Sequence, residues 1–211
     1  MRGVESKAQA IAAATRSIEL DPTSAEGHTA LACATLLYEN NRTMAKQEFE
    51  RALELKPSYV LGRCWYALFY LQWARGEIEQ GIAEARRALD SDPLSGYAAM
   101  ILACCFCTAG RLDEAIETAR RAVHQDSESF IARWALGVSL STAGRFEEAV
   151  STLDAAAVMS GRHSRALSSL AGVFGQWGKP LEAGALHREL LERAPRTYVP
   201  FAYLALTAKA A

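Results

Sequence analysis

The chain has 211 residues, with 23 basic and 24 acidic side chains, half its residues apolar and six prolines. A net charge of −1 gives no electrostatic case for nucleic acid or an anionic membrane surface as partner. Such a composition excludes a disordered chain, and the length suits one or two compact domains or one array of small repeats.

In chain order, the first residues carry no secretory signal, because Glu5, Ser6, Lys7 and Gln9 stand where an apolar core would be needed. Apolar spacing predicts a first helix over Ser6–Leu20, with Ala10, Ala14 and Ser17 at regular intervals before Pro22. The same spacing returns at Ala45, Phe49, Ala52 and Pro57. From there the pattern becomes strict. Gly76, Gly110, Gly144 and Gly178 follow one another at 34 residues, each with a small residue five places on: Gly81, Ala115, Ala149 and Ala183. Twelve residues after each glycine stand Ala88, Ala122, Ala156 and Leu190. A repeat of this period is read before any other feature.

Each unit holds two amphipathic segments, such as Tyr97–Ala109 and Leu112–Gln125, with a glycine between them. Glycine there permits a left-handed C-terminal turn. Asp113 and Glu114 open the second segment, and Arg120 and Arg121 lie later in it, as the helix dipole favours. Pro180 and Pro200 fit first helical turns, where no amide donor is lost. Cys64–Ala74 and Tyr97–Cys107 are the most apolar stretches. Both fall short of the roughly 20 residues of a membrane span and are read as buried helices.

These residues resemble the tetratricopeptide repeat. Its signature is matched at Trp65/Leu68, Leu102/Ala103/Phe106, Leu136/Gly137/Leu140 and Leu170/Ala171/Phe174, each followed by the glycine and alanines above. Phe69 stands where that family has a small residue, which predicts looser or shifted packing. The turn at Asn40-Asn41-Arg42 is one residue long for the pattern, and the Ser58–Leu61 connection about two. The resemblance implies an all-α fold, a right-handed α-solenoid of antiparallel helix pairs. It gives one array over residues 1–211, with repeats 25–59, 60–95, 96–129, 130–163 and 164–197 and half-repeats 5–24 and 198–211. Ile18–Pro22, Phe49–Pro57 and Tyr198–Ala202 are further similar to the repeat region that follows effector domains in bacterial signalling proteins, such as adenylate cyclases, kinases and winged-helix regulators. With no effector domain present, the chain is expected to be a regulatory piece of a longer, cytoplasmic protein.

The family resemblance also implies a concave groove lined by the first helix of each repeat. By register it would be lined by Arg63, Tyr66, Tyr70, Trp73, Tyr97, Met100, Cys104, Trp134, Val138 and Arg165, with Cys107, Ser141 and Ser168 beside them. Trp65, Leu68, Leu102, Leu136 and Leu170 would form the core. Two readings are open: the repeats close over these aromatic residues themselves, or an apolar or amphipathic protein segment docks there. Capture of an acidic chain terminus is disfavoured, because Tyr70, Cys104 and Val138 replace the Lys and Asn it needs. The last predicted helix, Tyr198–Lys209, is apolar on more than one side. Phe201, Tyr203 and Leu206 are therefore candidates for a homodimer contact, the second function considered, with a small-molecule sensor as a third.

No enzymatic motif is found, and no cofactor is expected. Gly172–Lys179 has five residues between its glycines and Pro180 where a phosphate loop needs Ser or Thr. Cys104, Cys105 and Cys107 lack the fourth ligand of a zinc site and suit helix packing in a reducing cytosol. His28, His124, His163 and His187 share no motif.

Overall fold

The computed structural model describes residues 2–194 and 199–210, and their side chains apart from those of residues 2–7 and Phe201. The described residues are all-α, with no strand. The chain forms two compact units, divided between Ala109 and Gly110.

The first unit contains α1 (Arg2–Leu20), α2 (Ala25–Glu39), α3 (Arg42–Leu55), α4 (Val60–Trp65), α5 (Ile78–Ser91) and α6 (Gly96–Thr108). Helix α4 runs without a break into a π-helix, Tyr66–Arg75. The second unit contains α7 (Leu112–Gln125), α8 (Phe130–Thr142), α9 (Phe146–Met159), α10 (Ser164–Gln176), α11 (Pro180–Arg193) and α12 (Phe201–Ala210). Within each unit consecutive helices pack as antiparallel neighbours. The helix over Ser6–Leu20 starts earlier than expected, and that over Tyr198–Lys209 starts at Phe201, residues 195–198 lying outside the described ones. Pro180 opens α11 as expected. Pro200 precedes α12, and its carbonyl accepts from the Tyr203 and Leu204 amides.

Local chemistry fixes where the first helix of each repeat begins. Ser24, Ser95 and Ser129 cap α2, α6 and α8, their hydroxyls accepting from the amides of Gly27, Ala98 and Ala132 at 3.0, 3.2 and 3.3 Å. At α10 the cap is His163, whose Nδ1 accepts from Arg165 N at 3.2 Å. Ahead of three starts, Asp21, Asp92 and Asp126 fold the connection by accepting an amide two residues on. The four periodic glycines close the first helices with φ between 71° and 75°, and Asn40 does so for α2 at 52°.

The first unit departs from the even period, and the structure shows where. Lys56–Tyr59 between α3 and α4 is no longer than Asp92–Ser95 between α5 and α6, so the connection at Ser58–Leu61 is not extended. The extra residues lie inside the first helices. Asn41 N closes α2 onto Thr35 O, six residues back, where Arg145 N and Lys179 N reach only five back to Leu140 O and Phe174 O. Glu77 N likewise reaches six back, to Leu71 O, and the remaining residue is wound into the π-helix.

This winding changes which residue meets the partner helix. Ala67, fully buried, takes the small position expected for Phe69, and a Cβ on Gly81 of α5 would come within 3.0 Å of its carbonyl. The crossing of α8 and α9 is as tight: a Cβ on Gly137 would stand 2.5 Å from Leu153 Cγ and 2.8 Å from its Cδ2. Gly137→Ala is therefore expected to cost about 1–3 kcal/mol through overpacking, read as a lower urea midpoint at unchanged slope.

Candidate functional site

In the first unit the expected aromatic face divides in two. Tyr70 is only 5% exposed and Tyr66 is half-buried; their rings stack at 5.4 Å, and both lie against the buried ring of Phe49 on α3. Burial pushes the Tyr66 phenol well above its usual range. Tyr70 thus joins the core instead of an open face, and Met100 is buried on α6 in the same way. Both corrections have physical causes: the π-winding turns Tyr70 toward α3, and the apolar α6 is covered nearly all round. Arg63 is held by ionic and backbone partners: its Nε donates to Pro57 O at 2.8 Å and its Nη1 to Glu84 of α5 at 2.5 Å.

A different aromatic row stays accessible. Trp65, Phe69 and Trp73 stand at successive fourth residues, with ring centroids 6.2 and 5.2 Å apart. Trp65 and Phe69 are half-buried, and Trp73 is 61% exposed. Trp65 Nε1 donates to the Tyr97 hydroxyl at 2.9 Å, joining α4 to α6. Cys104 and Cys107 are half-buried on α6. Register counting back from Gly76 misses Trp65 and Phe69 for this face. The signal that finds them is the interval from Tyr59 to Gly76, two residues longer than from Ser95 to Gly110. Leu68, Leu102 and Leu170 are buried as expected of the core, whereas Trp65 and Leu136 are half-buried.

In the second unit Trp134 on α8 and Arg165 on α10 come together, the guanidinium 5.0 Å from the indole centroid. Trp134 Nε1 donates to Ser169 Oγ at 2.9 Å. Val138 is half-buried on α8, Ser168 is buried, and Ser141 Oγ contacts Gln176 Oε1 at 3.2 Å. At α12 Tyr203 is half-buried and Leu206 61% exposed; the Phe201 side chain lies outside the described residues.

The tetratricopeptide repeat family matches the sequence over residues 26–59, 66–130 and 109–164, well over half of the chain. The chain belongs to the tetratricopeptide repeat family. No curated protein matches the sequence significantly. Among solved structures, a thermophilic tetratricopeptide protein of Thermus thermophilus, TTC0263, is similar with a TM-score of 0.73 at 19% identity, over 89% of this chain and 98% of that one. PilW, a type IV pilus biogenesis factor, gives 0.68 at 19% identity over 99% and 93%. Yeast Tom70 gives 0.69 at 15% identity over 95% of this chain and 42% of its own. At such identities the likeness is one of fold.

Three of the five thiols of this tetratricopeptide chain are buried. Burial pushes the thiols of Cys33 and Cys64 up to about 12, and that of Cys105 higher still. These three thiols are therefore expected to resist an aromatic disulfide reagent at pH 8 and to react only after unfolding, which thiol titration with and without denaturant reads directly. Among the described residues no group of three or more His, Cys, Asp or Glu could hold a metal ion, and no helix is long and apolar enough to cross a membrane. The glycine-rich stretch Gly172–Lys179 is the end of α10 and its turn into α11, with Lys179 Nζ seated 3.4 Å over the Trp177 ring. A shallow depression of about 280 Å³ beside it is lined by Arg145, Phe146, Glu147, Glu148 and Trp177. Its Arg145 and Glu148 already pair in bidentate fashion at 2.6 Å. The histidines lie apart: His28 Nδ1 meets Glu48 at 2.5 Å, and His187 Nδ1 meets the Thr207 hydroxyl at 2.7 Å.

Proposed function

We propose that this chain is a non-catalytic interaction module that binds an apolar or amphipathic protein segment along the first helices of its repeats. Tetratricopeptide repeats generally serve as protein-interaction scaffolds. The observation that carries the finer reading is the Trp65–Phe69–Trp73 row, an aromatic surface that ends in an indole 61% open to solvent. Tyr97 and Cys104 extend it on α6; Trp134, Val138 and Arg165 are the corresponding surface of the second unit. The role as a cytoplasmic regulatory region of a larger bacterial signalling protein rests on the sequence resemblance.

Panning the chain against a displayed library of random dodecapeptides is expected to return sequences rich in apolar residues. Trp73→Ala is expected to weaken a recovered peptide at least tenfold, as measured by fluorescence anisotropy, while the thermal midpoint stays unchanged. Recovery of no binding peptide, or full affinity in the variant, defeats the reading. Leu206, exposed on α12, favours a second reading, association of two copies. Sedimentation at several concentrations tests it, a single monomeric species being the adverse result.

A further inference from the structure

We infer that the first-helix face of the second unit, formed by α8 and α10, recognises a side-chain carboxylate in the bound segment, with Arg165 as its anchor. The inference rests on the interaction-module reading and names the chemistry of the partner.

Charge in this unit is segregated by helix. The first helices α8, α10 and α12 contain Arg133, Arg165 and Lys209 and not one Asp or Glu. The acids of the unit's helices stand on α7, α9 and α11, where cations answer several of them: Glu117 pairs with Arg121, Glu148 with Arg145, and Glu189 with Arg162 and Arg193. Arg133 is directed away to the Ser127 carbonyl at 2.7 Å. Arg165 has no carboxylate partner among the described residues, and its backbone amide, not its guanidinium, meets His163. Among the described residues its guanidinium thus makes no ion pair, and the helices α8 and α10 that form this face supply no carboxylate.

The guanidinium is also pre-positioned. Its contact with the Trp134 ring, 5.0 Å from the centroid, favours this placement before a ligand arrives. Ser169 lies four residues after Arg165, on the same face of α10. Its oxygen accepts the Trp134 indole proton at 2.9 Å, and its own proton has no acceptor among the described residues. A hydroxyl that is already an acceptor still has one hydrogen to donate. Guanidinium and hydroxyl each contact the same indole, two donors available to the two oxygens of an Asp or Glu side chain, while the indole takes the apolar part of the same segment. The partner on this face is an apolar segment carrying an acidic residue.

The test uses the whole chain and a dodecapeptide library displayed with its C-termini fused, so that side chains supply every carboxylate. Selected peptides are expected to be enriched in Asp or Glu beside apolar residues. A synthetic, C-terminally amidated version of one is then compared with its Glu→Gln or Asp→Asn analogue, against the native chain and Arg165→Gln. Each single change is expected to weaken binding about tenfold or more, and the two together no further than either alone. Ser169→Ala supplies a second variant, expected to reduce the acid preference without abolishing binding. Absence of any acid-dependent peptide among those selected, or an acid-to-amide change with equal effect on the native chain and Arg165→Gln, overturns the inference and leaves the interaction-module reading standing. If a free C-terminal carboxylate substitutes fully for the side chain, the inference also falls. Failure of peptides of any composition to bind overturns both.

Discussion

Phe49→Ala is expected to lower the unfolding free energy by about 3–5 kcal/mol, the largest loss for a single side chain in the first unit. Phe49 is fully buried on α3 and receives the rings of Tyr66 at 5.4 Å and Tyr70 at 6.2 Å. Its removal leaves an aromatic-sized void in a cluster with Ala32, Cys33, Leu36, Ala45, Tyr70 and Leu71, whose packed helices can close in only partly. Phe69→Ala supplies the contrast. If Phe69 occupied the tight crossing position suggested by counting back from Gly76, its removal would matter as much. Because Ala67 holds that position and Phe69 lies half-exposed between Trp65 and Trp73, the expected loss is about 1 kcal/mol. Urea titrations of both variants decide the matter. Equal losses, or the reverse order, would mean that the π-winding does not turn these rings as described.

The contrast also shows what the sequence made legible. Glycines 34 residues apart, each followed by a small residue five places on, identify helix pairs because the two requirements are local and physical. One is a residue that tolerates positive φ; the other is a side chain small enough for two helices to approach. Both hold at Gly110/Ala115 and Gly144/Ala149, where φ is 72° and 73° and both alanines are fully buried. What sequence counting could not locate was the place of two extra residues between Tyr59 and Gly76. Placing them in the exposed connection is the economical assumption, since loops accept insertions readily. The chain instead keeps that connection short and widens the helix. That leaves Ala67 against Gly81 and exchanges Tyr66 and Tyr70 for Trp65 and Phe69 on the accessible side. In the second unit the register is undisturbed, and Trp134, Val138 and Arg165 all keep some exposure on first helices. Ser169 was not legible, because its part depends on a hydrogen bond from Trp134 on another helix and no spacing rule encodes that.

Deleting Trp73 and Ala74 together is expected to be tolerated, whereas deleting Thr142 and Ala143 from the second unit is expected to cost several kcal/mol. An α-helix turns about 100° per residue, so losing two residues rotates everything beyond them by about 200°. In α8 that rotation would carry Gly144 out of the position where its amide closes on Ser141 O and its neighbour Arg145 on Leu140 O, and would misalign α9. The segment before Gly76 differs because it holds two residues in excess. Without Trp73 and Ala74, the interval from Tyr59 to the glycine equals that from Ser129 to Gly144. Leu71 and Gln72 then fall where Ser141 and Thr142 stand, and an ordinary α-helix can connect the same cap to the same turn. Helical circular dichroism should be retained, and the unfolding free energy from urea titration should stay within about 1 kcal/mol of that of Trp73→Ala, the proper reference because both lack the exposed indole. Unfolding of the first deletion would mean that the π-helix is required by its neighbours; survival of the second would mean that the glycine turn does not set the packing of α9. If both results come out as expected, the π-helix is an insertion that the fold does not need. Its consequence is then at the surface, where it turns Trp65, Phe69 and Trp73 into one accessible row.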